Sequence, residues 1–137
     1  MIYDRDVSSM IFVFGSNLSG IHGAGAARYA AVHKGAVWGV GEGITGSSYA
    51  LPTKGLNISY IPLDEVHRHI KKFIAYATNH PNLEYQVTAV GTGLSVFEHS
   101  EIAPLFVPAV YEDSPCYFDK IWLPWLPKDA KFWGTSL

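Results

Sequence analysis

Met10-Ile11-Phe12-Val13-Phe14-Gly15 is followed, after a short loop, by Gly23-Ala24-Gly25-Ala26-Ala27-Arg28-Tyr29-Ala30-Ala31-Val32. The first of these segments is a short apolar run rich in β-formers that stops at a glycine, which is how a fully buried strand reads. The loop Ser16 to His22 follows, and from Gly23 the alanines favour a helix while the glycines let another group come close to the backbone. The order is strand, glycine loop, helix.

A second unit of the same kind lies downstream. Tyr85-Gln86-Val87-Thr88-Ala89-Val90 reads as another buried strand ending at glycine, and Gly91-Thr92-Gly93-Leu94-Ser95 as its loop. Between the two units, glycine at 35, 39, 41, 43 and 46 predicts an irregular surface segment anchored by Trp38. The run Ser48 to Lys54 is expected to be extended, with Pro52 marking an edge strand or a strand end. Leu63, Val66, Ile70, Phe73, Ile74 and Ala77 recur at helical spacing after Pro62 and predict the best helix of the chain, closing near Asn79-His80-Pro81. A further helix is expected near Ser100, limited by Pro104 and Pro108, and Tyr117 to Leu123 reads as the last strand. Strands alternating with helices imply a mixed, mostly parallel sheet covered on both faces, an α/β/α sandwich.

The chain has 137 residues, 48% of them hydrophobic, which suits one domain spanning 1–137. Its formal net charge of −2 gives no global attraction for a polyanion. The one cysteine, Cys116, has no internal partner, and no C-x-x-C or H-E-x-x-H spacing is present, so neither a metal site nor a cofactor is expected. The first residues, with Asp4 and Asp6, read as neither a signal peptide nor a membrane span; the expected compartment is the cytoplasm.

Ligands of open α/β sheets bind where strands end and helices begin, because backbone N–H groups converge there. Glycines 20, 23, 25, 91 and 93 remove side chains from that approach, and a pyrophosphate between the two loops is the natural guest. Each loop taken by itself is also compatible with plain tight turns.

The succession Phe14-Gly15-Ser16-Asn17-Leu18, Gly20-Ile21-His22-Gly23-Ala24-Gly25-Ala26-Ala27, Ser48 to Lys54, and Val90-Gly91-Thr92-Gly93-Leu94 resembles the run of elements in macro domains, over roughly Met10 to Ala109. Within that superfamily it is most similar to the branch of terminal ADP-ribose protein glycohydrolase and the antitoxins that remove ADP-ribose from DNA. Small phage-encoded macro-like proteins share a similar Phe-Gly-Ser-Asn opening; for such a protein the compartment is the host cytoplasm. The resemblance implies ADP-ribose or a related nucleotide as ligand, free or on a modified macromolecule, with no membrane partner. It implies binding by Ser16, Asn17, Gly20, His22, Gly23, Ala24, Gly25, Thr53, Gly91, Thr92, Gly93, Leu94 and Ser95. It also implies that Lys54 stands where the hydrolases of that branch carry their nucleophile.

Two departures bear on activity. Where the hydrolases place an aspartate after the second loop, this chain has Ser95, with Glu98 and His99 nearby as replacements. Where macro domains hold adenine with an aspartate before the first loop, only Asp4 and Asp6 are available. Nucleotide binding is therefore the leading expectation and ADP-ribosyl glycohydrolysis by Lys54 the alternative. Trp38, Trp122, Trp125 and Trp133 are expected mostly in core or rim packing. The third reading is an interaction protein in which Trp125 to Trp133 instead form an exposed aromatic patch for a partner or second copy. His67 and His69, two apart on the predicted helix, are expected to be solvated.

Overall fold

The β-rich run at Met10 pairs with two parallel neighbours and becomes an inner strand of a sheet. The structure, a computed structural model, describes residues 1–93 and 96–136. Among them, seven strands form one sheet: β1 (Ile2–Tyr3), β2 (Ile11–Asn17), β3 (Gly43–Thr45), β4 (Ser48–Lys54), β5 (Tyr85–Val87), β6 (Cys116–Asp119) and β7 (Lys131–Thr135), in the order β1-β7-β6-β5-β2-β4-β3. The inner strands β7, β6, β5, β2 and β4 are parallel, and β1 and β3 close the edges antiparallel. Helices α1 (Gly25–His33), α2 (Leu63–Asn79), α3 (His99–Ile102) and α4 (Val107–Tyr111) complete the described helical layers. The protein is a three-layer α/β/α sandwich with a mixed, mostly parallel sheet.

Alternation along β2 assigns its side chains to two cores. Ile11 and Val13 join Tyr49, Leu51, Tyr85, Val87 and Phe118 beneath Val66, Ile70, Phe73 and Ala77 of α2 and Ile102 and Phe106 of the following turns. Phe12 and Phe14 face the other way, against Ala27 and Ala30 of α1, whose small side chains let the helix lie close to the sheet. Met10, Tyr117 and Trp133, with Val7 packed on them, fill the rest of that face. Full burial of each large apolar side chain contributes about 1.5–3 kcal/mol, so these layers dominate stability.

The predicted helix after Pro62 is α2. Pro62 is its N-cap, Asp64 and Glu65 lie in its first turn, and Val66, Ile70, Phe73, Ile74 and Ala77 are buried. It ends where His80 stacks on Tyr76, ring centroids 4.0 Å apart.

Several boundaries differ from the sequence reading. β2 continues through Gly15 to Asn17, because pairing with β4 extends to Asn17↔Lys54, so Ser16 and Asn17 end a strand instead of opening a loop. β5 stops at Val87, and α1 starts at Gly25. The glycine-rich segment contains β3, which occupies the edge expected for β4. β4 is thus internal, and Pro52, which has no N–H to donate, lies beyond the stretch that β3 pairs. Trp38 is 59% exposed and anchors no core. The expected last strand ends at Asp119 and turns into a 3₁₀ segment, Lys120–Trp125, after which β7 follows.

The aromatic C-terminal patch is also corrected. Trp133 is 0% exposed and its indole N–H donates to the Val87 carbonyl at 3.0 Å, while Trp125 and Leu123 stay exposed. Trp133 is therefore core and is closed to a partner. Cys116 is buried, and burial pushes its thiol up to about 12, so it stays protonated and a poor nucleophile. Among the described residues no helix is long and apolar enough to cross a membrane.

Candidate functional site

The parallel strands β2, β4 and β5 end side by side, and the segments leaving them surround a cleft of about 310 Å³. It is lined by Gly15, Ser16 and Asn17 from β2, by Gly23 through Ala27 at the start of α1, by Thr53 and Lys54 from β4, and by Thr88 to Gly91 and Gly93 beyond β5. Ile21 and Ile58 complete its apolar wall. This volume is at the small end of ligand sites.

The floor holds itself together. The Ser16 hydroxyl donates to the Gly41 carbonyl at 2.9 Å. The Asn17 side chain closes the first loop on Ile21, its Nδ2 donating to the Ile21 carbonyl at 2.9 Å and its Oδ1 accepting from the Ile21 N–H at 3.0 Å. Asn17 lines the cleft, but both ends of its amide serve the turn, the ordinary use of asparagine there. Thr53 is buried, its hydroxyl 3.4 Å from the Ser16 carbonyl.

The glycines of the two loops divide by what the fold asks of them. Gly20 has φ +69°, and a Cβ there would lie 2.4 Å from the Gly39 carbonyl carbon; it is a fold glycine and does not line the cleft. Gly91, at φ +77°, needs its left-handed backbone as well. Gly23 and Gly93 lie outside the left-handed region. Among the described residues, a Cβ on Gly23 would meet only Trp38, at 3.7 Å, and one on Gly93 would meet nothing within 4 Å. Both are exposed and both line the cleft, so neither fold geometry nor packing requires them to be glycine.

α1 opens on the cleft with Ala24 as N-cap. No side-chain cap hydrogen bond is made, and no acidic residue lies in the first turn. The N-terminal N–H groups and the positive end of the helix dipole therefore face the lining unscreened by a carboxylate. Lys54 is half-buried, with Nζ 5.5 Å from the centroid of the Tyr60 ring, and it is the one charged side chain among the described lining residues. The electrostatics of the cleft favour an anion.

Other candidates lie elsewhere. His22 is 1% exposed, set edge-on to Phe14 with Nε2 3.1 Å from the Val37 carbonyl, and supports the first loop from beneath. The Thr92 hydroxyl donates to the Ala89 carbonyl at 2.7 Å, and Thr92 lies outside the lining. Glu98 caps α3 in a capping box, accepting from the backbone of Glu101, and does not line the cleft. Leu94 and Ser95 fall outside the described residues. Asp4 pairs with Lys120 and Asp6 accepts from the Ser8 N–H, so neither reaches the cleft.

His69 is not solvated. Its side chain is 17% exposed, and Nδ1 lies 2.7 Å from Glu42, which also pairs with Lys72 at 3.2 Å. This clamp ties the segment before β3 to α2. Among the described residues, no three His, Cys, Asp or Glu side chains gather to hold a metal.

Sequence reasoning missed Ile58, which lines the cleft at φ +59° with its neighbour Asn57 at φ +52°. No sequence signal marks a β-branched residue in that conformation. No family model, curated protein or solved structure matches this chain.

Proposed function

We propose that the cleft binds ADP-ribose or a related phosphate-bearing nucleotide, with the phosphates between the Gly23–Gly25 turn and the Gly91–Gly93 turn. One observation carries this reading. Two glycines that the fold does not require, Gly23 and Gly93, border the same cleft as the uncapped start of α1 and a lone lysine. A phosphate needs that combination: backbone N–H groups it can approach and a positive charge without a competing carboxylate. The macro-domain resemblance names the nucleotide class, and the lining supports an anion of that kind. Such a ligand exists free or attached to a modified macromolecule.

Lys54 gives the first test. Calorimetric titration with ADP-ribose is expected to give an affinity about tenfold weaker for Lys54→Ala than for the parent, as for loss of one charge-assisted contact. Equal affinities would remove Lys54 from the site.

Glycohydrolysis is a second reading, favoured by the position of Lys54 within the cleft. In that reaction the neutral lysine Nζ bonds to the ribose C1 as the bond from C1 to the target breaks, and the proton shed by Nζ passes to the departing group. The ring then opens to an imine, and water adding at C1 releases ADP-ribose and returns the lysine amine. Glu98 is committed to its helix cap, and no carboxylate stands among the described lining residues, so binding is the better-supported reading. Borohydride trapping distinguishes the two, because only a nucleophilic Lys54 yields a ribose adduct that Lys54→Ala abolishes.

A further inference from the structure

We infer that Ile58 is a ligand-positioning residue, held in a strained conformation so that its side chain walls the cleft beside Lys54. The inference rests on the nucleotide-binding reading and adds to it a contact with a part of the ligand beyond its phosphates.

The strain is local and specific. Asn57 and Ile58 lie in succession at φ +52° and +59°. Asparagine tolerates this region, whereas a β-branched side chain there is crowded against its own backbone. The turn is fastened from three sides: the Gly55 N–H donates to the Ser59 carbonyl at 2.8 Å, the Ser59 N–H to the Leu56 carbonyl at 3.1 Å, and the Asn57 N–H to the Ser19 hydroxyl at 2.8 Å. The last bond ties the turn to the loop that leaves β2.

What Ile58 gains inside the protein does not offset this cost. It is 43% exposed and lies outside the apolar clusters, where its neighbour Ile61 packs. A surface turn with this backbone would be satisfied by glycine or asparagine. The chain instead places an isoleucine there, lining the cleft, with the exposed ring of Tyr60 alongside Lys54. Strain that packing does not repay is characteristic of positions serving a bound ligand. Isoleucine has no polar group to offer a phosphate, so its partner is an apolar face of the ligand, a sugar or base surface.

Three variants and two probes test this. Ile58→Asn keeps the left-handed turn and removes the apolar wall, Ile58→Leu keeps an apolar side chain without the β-branch, and Ile58→Gly relieves the strain fully. For Ile58→Asn, the melting temperature without ligand is expected to rise by roughly 1–4 °C, while affinity for ADP-ribose falls about tenfold. Ile58→Leu is expected to bind within about threefold of the parent, and Ile58→Gly to lose affinity as Ile58→Asn does. Pyrophosphate, measured by the concentration that displaces ADP-ribose, is expected to bind parent and variants alike. A purely structural residue does not give stability and affinity effects of opposite sign. Unchanged ADP-ribose affinity in Ile58→Asn, a lower melting temperature, or an equal loss for pyrophosphate would overturn the inference and leave the binding reading standing. A parent that does not bind ADP-ribose would overturn both.

Discussion

Asp119→Ala is expected to lower the free energy of unfolding by about 2–3 kcal/mol, the range for leaving hydrogen-bond donors without their buried acceptor. Asp119 ends β6 with 0% exposure. Its Oδ1 accepts from the Ile121 N–H at 3.0 Å, and its Oδ2 accepts from the Ser136 N–H at 3.2 Å and from the Ser136 hydroxyl at 2.7 Å. The first bond starts the Lys120–Trp125 turn, which seats Trp122, itself 0% exposed, in the main core. The other two fasten the chain beyond β7. One carboxylate therefore joins the ends of two adjacent strands, and alanine removes the acceptor that holds both. Asp119→Asn keeps an acceptor for Ile121 and is expected to lose about half as much. Guanidinium unfolding midpoints check this; a loss below about 1 kcal/mol for alanine would mean that the two attachments hold without the carboxylate.

The second large effect concerns binding. Gly23→Val and Gly93→Val are each expected to weaken ADP-ribose binding by about 100-fold, or roughly 2.7 kcal/mol, while changing stability by less than about 1 kcal/mol. The asymmetry follows from the backbone. Neither glycine is left-handed, and among the described residues an added Cβ meets Trp38 at 3.7 Å in one case and nothing within 4 Å in the other. The fold tolerates the side chain, and the phosphate approach does not. Gly20→Val is the contrasting control, because its Cβ would sit 2.4 Å from Gly39 backbone, so that variant is expected to lose stability first. Gly23 and Gly93 variants that bind as the parent does would show that the phosphates lie elsewhere.

The central layers of this fold are legible in the sequence because long-period signals survive there. The apolar run at Met10 and the helical spacing from Leu63 to Ala77 each state their own geometry, and β2 and α2 follow. The edges are not legible. β1 has two residues and β3 three, too short for alternation to register, and each exists because an antiparallel neighbour offers an open edge. β7 is hidden in a tail rich in proline and tryptophan, where core packing and an exposed patch are both open readings. Trp133 takes the first, fixed by the Val87 carbonyl across the sheet.

The site divides in the same way. Glycine positions and Lys54 can be read directly, but which glycines serve the fold depends on what stands opposite them. Gly20 meets Gly39, nineteen residues away in sequence, and no local pattern carries that fact. Asn17 and His22 are expected as ligand contacts through the macro-domain resemblance alone. The structure uses Asn17 to close a turn on Ile21 and His22 to support that turn from beneath. Glu98 looked like a substitute acid by proximity alone, and the start of α3 claims it as a cap.

Titration of the unmodified protein with ADP-ribose, read by calorimetry and by thermal unfolding, bears most directly on the central claim. Saturable binding at one site per chain is expected. Ligand at a hundred times its dissociation constant adds about 2.7 kcal/mol, which for a domain of this size raises the melting temperature by roughly 5–10 °C. Absence of both heat and thermal shift up to millimolar ADP-ribose would contradict the account.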